Sequence, residues 1–349
     1  MAQIAIAGRT IGPGHPCFII AEAGVNHNGD LGLARRLVDA AVRARSDAVK
    51  FQSFRAERLA IPRAPKARYQ SEATGHEESH LDMLRRLELS AAAHRELATY
   101  CRSQGIMFLS TPFDSASADL LDELDVAAFK IGSGELTNLP LLQHVAAKGR
   151  PMIVSTGMST LEEVAAAVRT IQAAGGRELM LLHCVSAYPA NPSDVNLRAM
   201  HTLGSTFDLP VGYSDHTMGH QVALAAVALG ACVIEKHVTL DRGMPGPDHA
   251  ASAEPDELAA LIRDVRLIES ALGDGRKRPA QGELEVAAVA RKSLVAAQDI
   301  PSGSTLTEEL IAVKRPGTGL PPAMLAQVVG RTARQDIPAD TVLTMEMIT

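Results

Sequence analysis

The chain has 349 residues, a length that fits one large barrel followed by a small second domain. Hydrophobic residues make up 46% and charged residues 21% of the sequence, as is typical of a packed globular protein. The net charge is −6, tryptophan is absent and no long basic stripe occurs, which argues against nucleic acid as the main partner.

Membrane and disulfide signals are both missing from the sequence. No apolar run approaches the ~20 residues of a membrane helix, and the N-terminus lacks the pattern of a signal peptide. A cytoplasmic location without a membrane partner is therefore expected. The cysteines Cys17, Cys101, Cys184 and Cys232 show no CxxC spacing, so buried free thiols are expected rather than disulfides or a zinc site.

Eight short apolar or β-branched runs alternate with segments of helical periodicity. The runs lie at 18–21, 48–51, 107–110, 127–131, 152–155, 179–183, 210–213 and 232–236. The helical segments include 31–45, 91–104, 137–148, 160–174 and 254–271. This alternation predicts a parallel (β/α)₈ TIM barrel. An open doubly wound sheet is the alternative, but no Gly-rich dinucleotide loop follows the first strand.

The pattern changes near residue 272, where a turn-rich stretch begins. Two similar segments follow, AAQDIPSGSTLT and ARQDIPADTVLT, and each has the pattern of a strand, a turn and a strand. We therefore predict a barrel domain over 1–275, a linker over 276–289 and a small β-rich domain over 290–349. A domain of about 60 residues is marginally stable alone, so it should dock on a partner surface.

The predicted strands end in polar residues, at the end of the barrel where active sites lie. They include Glu22, Lys50, Gln52, Thr111, Lys130, Ser133, Glu135, Ser155, Ser186, Ser214, His216, Glu235 and His237. Lysines inside apolar strands, such as Lys50 and Lys130, are seldom structural unless paired. The alternative is a core salt bridge with Glu22 or Glu135. Lysines, hydroxyls and glycine-rich turns together favour a small phosphorylated acid as ligand.

Two histidines, His216 and His237, end the seventh and eighth predicted strands. Adjacent strands lie roughly 5 Å apart, so both imidazoles can reach one metal ion. With water and substrate oxygens completing the shell, such a pair suits Mn²⁺ or Mg²⁺ better than a closed zinc site. Two satisfied core histidines are the alternative interpretation.

Ten stretches of the sequence are distinctive: AEAGVNHNGD, AVKFQ, STPFD, FKIGSGE, STGMST, LLHCVSAYP, GYSDHT, IEKHVTLDR, MPGPDHAASAEPDE and VKRPGTG. Together they resemble the sialic acid synthase family, which includes N-acetylneuraminate, legionaminate and pseudaminate synthases. The tail resembles the antifreeze-like (SAF) domain that ends these enzymes. The segment 66–88 resembles the family only in part, and Ser186 stands where some N-acetylneuraminate synthases have asparagine.

This resemblance implies a transferase that condenses phosphoenolpyruvate with an N-acetylated amino sugar, giving a nonulosonic acid and phosphate by C–O cleavage. The acceptor would be N-acetylmannosamine or a 2,4-diacetamido-trideoxy hexose. Phosphoenolpyruvate would be bound by Lys50, Thr111, Lys130, Ser133, Ser155, Ser186 and Ser214. The sugar would contact Glu22, Gln52, Tyr188 and Asp248, with Arg315 supplied by the other subunit of a domain-swapped homodimer.

The resemblance also implies roles for the ionisable residues. His216 and His237 would bind Mn²⁺, with Mg²⁺ as the alternative. Glu22 or Glu135 is the candidate acid/base, and Lys50 and Lys130 would be catalytic cations.

Two other classes of function fit parts of the sequence. One is a pyruvate aldolase, either metal-dependent or acting through a Schiff base. A Schiff base would form on a lysine at a strand end, and Lys130 is the candidate. A non-enzymatic carbohydrate- or ice-binding protein would be built around the tail. The tail lacks the flat, Thr-rich repeated surface expected for ice, and its basic VKRPG turn suits a polar ligand better.

Overall fold

The computed structural model of the chain describes residues 3–75 and 77–349. These residues form two compact units, one ending at Gly273 and the other running from Asp274 to Thr349. The domain boundaries predicted from the sequence, including the linker at 276–289, stay a proposal.

A short antiparallel hairpin, β1 (Ile4–Ile6) and β2 (Arg9–Ile11), precedes eight parallel strands. The eight are β3 (Phe18–Gly24), β4 (Ala48–Ser53), β5 (Met107–Pro112), β6 (Phe129–Ile131), β7 (Met152–Ser155), β8 (Leu179–Cys184), β9 (Val211–Asp215) and β10 (Val233–His237). Strand β10 pairs with β3, which joins the last strand to the first. Across the remaining seam, Cα atoms of β5 and β6 lie within 8 Å. The sheet is a nearly closed barrel, and the predicted TIM-barrel fold is confirmed.

Among the described residues, the first unit contains eleven α-helices. They are α1 (Leu31–Arg43), α2 (Ala56–Leu59), α3 (Arg68–Thr74), α4 (His80–Leu87), α5 (Ala91–Gln104), α6 (Ser115–Glu123), α7 (Leu139–Ala146), α8 (Leu161–Ala173), α9 (Ala199–Phe207), α10 (Gln221–Ala228) and α11 (Pro255–Leu272). Side chains cap their starts: Ser90 accepts the Ala93 amide, and Thr160 forms a capping box with Glu163. No helix among the described residues has the length and apolarity needed to cross a membrane.

Side chains alternate along the strands, so the inward-facing residues form an apolar layer, with polar residues beyond it at the carboxyl ends of the strands. Alternate residues of a strand face opposite sides, so Ile19 packs among the outer helices while Ile20 belongs to the inner core. The hairpin adds Ile6 and Ile11 to this inner core. Two residues further along each strand the inward position becomes polar: Ile20 is followed by Glu22, Ala48 by Lys50, Leu109 by Thr111, Ala128 by Lys130, Ile153 by Ser155 and Val233 by Glu235.

The second unit contains α12 (Glu283–Ala290), the antiparallel strands β11 (Ser293–Ala296) and β12 (Ile311–Lys314), and the short helix α13 (Leu325–Val328). Its own apolar core includes Leu294, Ile300, Leu306, Ile337 and Leu343. Part of the segment predicted as a linker is thus helical, because ELEVAAVA combines helix-forming residues with glutamates in its first turn.

The two similar halves of the tail sequence pair with each other in a reciprocal arrangement. The amide of Ile300 donates to the carbonyl of Ile337 and the amide of Ile337 donates to the carbonyl of Ile300, both at 2.8 Å. The carboxylate of Asp336 accepts the Ser302 amide at 2.7 Å. In the equivalent bond, the carboxylate of Asp299 accepts the Ala339 amide, also at 2.7 Å. Each half therefore satisfies backbone groups of the other.

A substitution in β9 tests the close packing of the barrel strands. A Cβ atom at Gly212 would lie 2.6 Å from the Leu182 Cδ2 atom and 2.6 Å from the Val233 carbonyl oxygen. Because that oxygen belongs to the neighbouring strand, we expect Gly212→Ala to lower the free energy of unfolding by about 1–3 kcal/mol, measured by urea denaturation. Gly204→Ala in α9 is the control. The nearest atom to the added Cβ would be in the Val211 side chain at 3.6 Å, so the free energy of unfolding should rise by up to about 1 kcal/mol. Equal effects of both substitutions would contradict the packing argument.

Candidate active site

A cavity of about 290 Å³ lies at the carboxyl ends of the barrel strands. Twelve of the fifteen residues predicted for the site line it: Glu22, Lys50, Gln52, Thr111, Lys130, Ser133, Ser155, Ser186, Tyr188, Ser214, His216 and His237. The barrel thus brings together polar residues that are far apart in sequence, and each comes from the end of a strand or the loop after it.

Four buried charges form the floor of this cavity. The Lys50 Nζ atom lies 2.8 Å from the Glu22 Oε2 atom and 3.7 Å from the Glu235 Oε2 atom. The Lys130 Nζ atom lies 3.6 Å from the Glu235 Oε1 atom. The predicted alternative of a salt bridge between Lys50 and Glu22 is therefore present, but the pair lines the cavity rather than a closed core.

The two carboxylates of this cluster differ in their affinity for protons. Burial raises the pKa of Glu22 to about 7, although Lys50 opposes the shift. Burial also acts to raise the pKa of Glu235, but Lys130 and Lys50 outweigh it and hold that pKa below its usual value. Burial lowers the pKa of Lys130. Glu22 is consequently the group that can exchange a proton near neutral pH, while Glu235 stays ionised.

Hydroxyl groups lie beside both lysines. The Lys50 ammonium donates to the Thr111 Oγ1 atom at 3.0 Å, and the Lys130 ammonium donates to the Ser155 Oγ atom at 2.7 Å. The Ser214 hydroxyl donates to the Glu235 Oε1 atom at 2.9 Å. Each lysine is thus held beside a small polar group that can also contact a bound anion.

The STG turn after β7 packs directly against two further hydroxyls of the predicted site. The Gly157 amide donates to the Ser133 Oγ atom at 3.0 Å. A Cβ atom at Gly157 would lie 2.4 Å from the Ser186 Oγ atom and 2.8 Å from that of Ser133. Only glycine leaves room for these hydroxyls, so the turn helps to shape this wall of the cavity.

The two predicted metal ligands lie side by side, with ring centroids 5.3 Å apart. The His216 Nδ1 atom donates to the carbonyl oxygen of Val185 at 2.8 Å, which leaves Nε2 as its free nitrogen. His237 is buried, and within the described residues its Nδ1 atom has no hydrogen-bond partner. Burial and the nearby His216 hold the pKa of His237 well below its usual value, so the ring is neutral, the form that binds metals.

These two imidazoles fit an open metal site better than a closed one. Across the described ranges, no group of three or more His, Cys, Asp or Glu residues could hold an ion together. Water and substrate oxygens would therefore fill the other positions, as suits octahedral Mn²⁺ or Mg²⁺.

Aromatic residues form another wall of the cavity. The Tyr188 ring lies 4.2 Å from the His216 ring and 5.0 Å from the Tyr69 ring, measured between centroids. Tyr69 comes from α3, in the long segment between β4 and α5. Phe113 and Met158 also line the cavity.

Four further residues line the cavity without a role predicted from the sequence: Tyr69, Phe113, Met158 and Glu235. Glu235 is among the polar strand-end residues named from the sequence, and its position two residues before His237 in β10, on the same side of the strand, could have assigned it to the cavity. Tyr69 had no such signal, since it lies outside the barrel strands in a segment without clear periodicity.

Three predicted residues do not line the cavity. Glu135 is partly exposed, and its Oε2 atom accepts the Asn138 amide group at 2.7 Å. Asp248 is buried next to the site, with its Oδ2 atom 3.9 Å from the His237 Nδ1 atom. Arg315 belongs to the second unit, where its Nε atom donates to the Ala290 carbonyl oxygen at 3.0 Å, and its role at the site stays a prediction.

A (β/α)₈ barrel with two lysines, several hydroxyls and a histidine pair around one cavity defines an enzyme for small anionic substrates. Residues 37–277 match the NeuB family, and residues 291–349 match the SAF domain. The chain belongs to the NeuB family and carries a SAF domain at its C-terminal end.

Relatives of known name cover nearly the whole chain. The sequence is 47% identical to N,N'-diacetyllegionaminic acid synthase of Legionella pneumophila, over 95% of this chain and 94% of that protein. It is 40% identical to N-acetylneuraminate-9-phosphate synthase of Homo sapiens, over 93% of this chain and 90% of that protein. The crystal structure of N-acetylneuraminic acid synthetase from Leptospira borgpetersenii is similar, with a TM-score of 0.72 at 37% identity, over 82% of this chain and 95% of that one. The predicted class of enzyme, a nonulosonic-acid synthase, is confirmed.

The buried carboxyl beside the histidines should make stability depend on pH. Burial raises the pKa of Asp248 to about 6, although the nearby His216 opposes the shift. The unfolded chain releases this proton at lower pH, so the stabilising contribution is complete at about pH 4 and is lost as pH rises through 6. In EDTA, as the pH rises from about 4 to above 6, Asp248 should lower the free energy of unfolding of the wild type by up to about 3 kcal/mol. The Asp248→Asn variant should lack this contribution.

The measurement is urea denaturation of both proteins at a series of pH values. Asp256→Asn, which alters an exposed carboxyl in the first turn of α11, is the matched control and should follow the wild-type curve. Parallel curves for wild type and Asp248→Asn would show that Asp248 does not titrate in this way.

Proposed function

We propose that this enzyme condenses phosphoenolpyruvate with 2,4-diacetamido-2,4,6-trideoxymannose to give N,N'-diacetyllegionaminic acid and phosphate. The higher identity to the Legionella pneumophila synthase, 47% against 40% for the human enzyme, supports this acceptor. The aromatic and apolar wall of Tyr69, Phe113 and Met158 suits acetamido methyls and a deoxy carbon. Among the described lining residues, Lys50 and Lys130 are the only lysines or arginines, which disfavours a second phosphate on the sugar.

The observation that carries the proposal is the pair of buried lysines, each beside a hydroxyl. Lys50 with Thr111, and Lys130 with Ser155, provide cations and directed donors for the phosphate and carboxylate of phosphoenolpyruvate. Further hydroxyls for the same substrate come from Ser133, Ser186 and Ser214.

Glu22 is the better candidate for proton transfer, because it lines the cavity and Glu135 does not. C3 of phosphoenolpyruvate attacks the aldehyde carbon of the open-chain sugar, and the aldehyde oxygen takes up a proton. Water then adds at C2 and releases a proton, and phosphate leaves with cleavage of its C–O bond. With a pKa of about 7, Glu22 can donate the first proton as the acid and accept the second as the carboxylate.

Glu235 has a different role in this proposal. It lies between the two lysines and stays ionised, so it offsets their charge where positive character develops at C2. Gln52, Tyr188 and Asp248 are the proposed polar contacts of the sugar, and they lie beside Glu22 and the histidine pair.

His216 and His237 are the proposed ligands of a divalent ion, Mn²⁺ or Mg²⁺. When bound there, such an ion supplies Lewis acidity that polarises the sugar aldehyde. Two features support this assignment: the His237 ring is neutral and its Nδ1 atom has no hydrogen-bond partner in the part of the chain that the structure describes, and the tautomer of His216 is fixed. Tyr188 packs on both rings and limits their movement.

We also propose a domain-swapped homodimer in which Arg315 of one subunit reaches the cavity of the other. Helix α12 supports a second copy as partner, because its Leu284, Val286 and Val289 side chains are at least half exposed. A cytoplasmic location is proposed as well. All four cysteines are free and buried, as is typical of a reducing compartment.

Phosphate release from phosphoenolpyruvate tests the reaction and its acceptor. With Mn²⁺, release should depend on the sugar and stop in EDTA. The kcat/KM for the diacetamido sugar should exceed that for N-acetylmannosamine by about tenfold or more, because the apolar wall discriminates between them. Lys130→Met should lower kcat/KM by roughly 10²-fold or more through loss of substrate-charge stabilisation.

Two outcomes would contradict this proposal. A larger kcat/KM with N-acetylmannosamine would change the acceptor but keep the reaction. Absence of release with either sugar, together with borohydride trapping of pyruvate on Lys130, would favour the Schiff-base aldolase instead.

Mixed dimers test the proposed role of Arg315. Subunits carrying Arg315→Ala and subunits carrying Lys130→Met should each be inactive alone. Co-expressed, they should recover about a quarter of the wild-type rate, because half of the dimers are mixed and one of their two sites is intact. Recovery requires that the tail acts on the partner's barrel. No recovery in dimers purified through two different tags would rule out that arrangement.

A further inference from the structure

Two buried charges lie directly behind the proposed metal ligands. Asp215 precedes His216 at the end of β9, Lys236 precedes His237 in β10, and the two are backbone partners in the sheet. Because neighbouring residues of a strand face opposite sides, the histidines line the cavity while Asp215 and Lys236 do not. Both charged side chains are at most 3% exposed.

This ion pair also fixes the residue that follows His216 in the chain, Thr217. The Lys236 Nζ atom lies 2.8 Å from the Asp215 Oδ2 atom and donates to the carbonyl oxygen of Thr217 as well. The Asp215 Oδ1 atom accepts the Thr217 amide at 2.9 Å and the Thr217 hydroxyl at 2.8 Å. Thr217 is therefore fixed at its amide, its carbonyl and its side chain, and His216 is held between two anchored residues.

Stability alone does not account for a fully buried ion pair. Removing two charges from water offsets most of their attraction, and well-packed apolar residues of similar size are often at least as stabilising. An apolar pair cannot reproduce the directed bonds to Thr217. Precise placement matters for His237 in particular, because within the described residues its Nδ1 atom has no hydrogen bond to orient the ring.

We propose that the Asp215–Lys236 ion pair is a positioning device, which fixes the ends of β9 and β10 so that His216 and His237 meet one divalent ion. This inference rests on the proposed metal role of the two histidines. Asp215 and Lys236 touch neither ion nor substrate, and they act through the backbone that carries the ligands.

The test is the affinity of the full-length protein for Mn²⁺ alone, measured from the paramagnetic resonance signal of the free ion. Asp215→Leu combined with Lys236→Met removes both charges and keeps side-chain volume. The Kd for Mn²⁺ should rise about 10–100-fold, and the thermal unfolding midpoint should fall, because the buried amide, hydroxyl and carbonyl of Thr217 lose their partners. At saturating Mn²⁺, the KM for phosphoenolpyruvate should remain within about twofold of wild type.

Arg266→Met is the matched control at the amino ends of the strands, where Arg266 pairs with Asp47 at 3.5 Å. It should lower the unfolding midpoint without changing the Kd for Mn²⁺. If the double variant does not fold, Thr217→Val replaces it. This change removes one bond to Asp215 and should raise the Kd severalfold.

A folded double variant, or Thr217→Val, with wild-type affinity for Mn²⁺ would overturn the inference. A lower unfolding midpoint with unchanged affinity would do the same, because it would show a purely structural role. A wild-type protein that does not bind Mn²⁺ would refute the proposed metal site itself, and the inference with it.

Discussion

Charge compensation inside the barrel governs the chemistry of this site. Two ammonium groups are buried at its floor, and Glu22 and Glu235 neutralise them while the cavity is free of substrate. Phosphoenolpyruvate is itself negatively charged, so when it binds, one of those carboxylates is no longer needed to neutralise the lysines. Glu22 can take up a proton at neutral pH, since its pKa is about 7, whereas Glu235 remains charged between the lysines. In the proposed mechanism, substrate binding and acid catalysis by Glu22 therefore depend on the same electrostatic balance.

The two-residue period of the strands separates stability from function. Inward-facing Phe18, Ile20 and Met180 fill the lower barrel with the hairpin, and the next inward residues form the polar cavity. A substitution in the apolar layer would therefore affect the site indirectly, by shifting the strands that carry the polar cavity residues. The same period places Asp215 and Lys236 behind the histidines, where they can hold the strands without entering the cavity.

The sequence was sufficient to predict the barrel and most of the polar residues that line the cavity, because both depend on local periodicity and on where strands end. Lys50, Lys130 and the histidine pair were found in this way. Glu235 was named only as a polar strand-end residue without a role, although it lies two residues before His237 and therefore faces the same side of β10. Tyr69 depends on how a long segment folds back over the barrel, which no local pattern encodes. The proposed dimer and the proposed role of Arg315 depend on association between chains, which leaves no periodic signal in a single sequence.

The reciprocal bonding of the tail has a consequence for its origin. A single half, with its Ile300 or Ile337 amide and its Asp299 or Asp336 carboxylate, has no partner for these groups within itself. A peptide of that length would be ordered only as a symmetric pair of identical chains. The present domain holds two such segments in one chain, joined by the stretch that carries β12 and α13, so duplication would have turned an association between molecules into a fold within one.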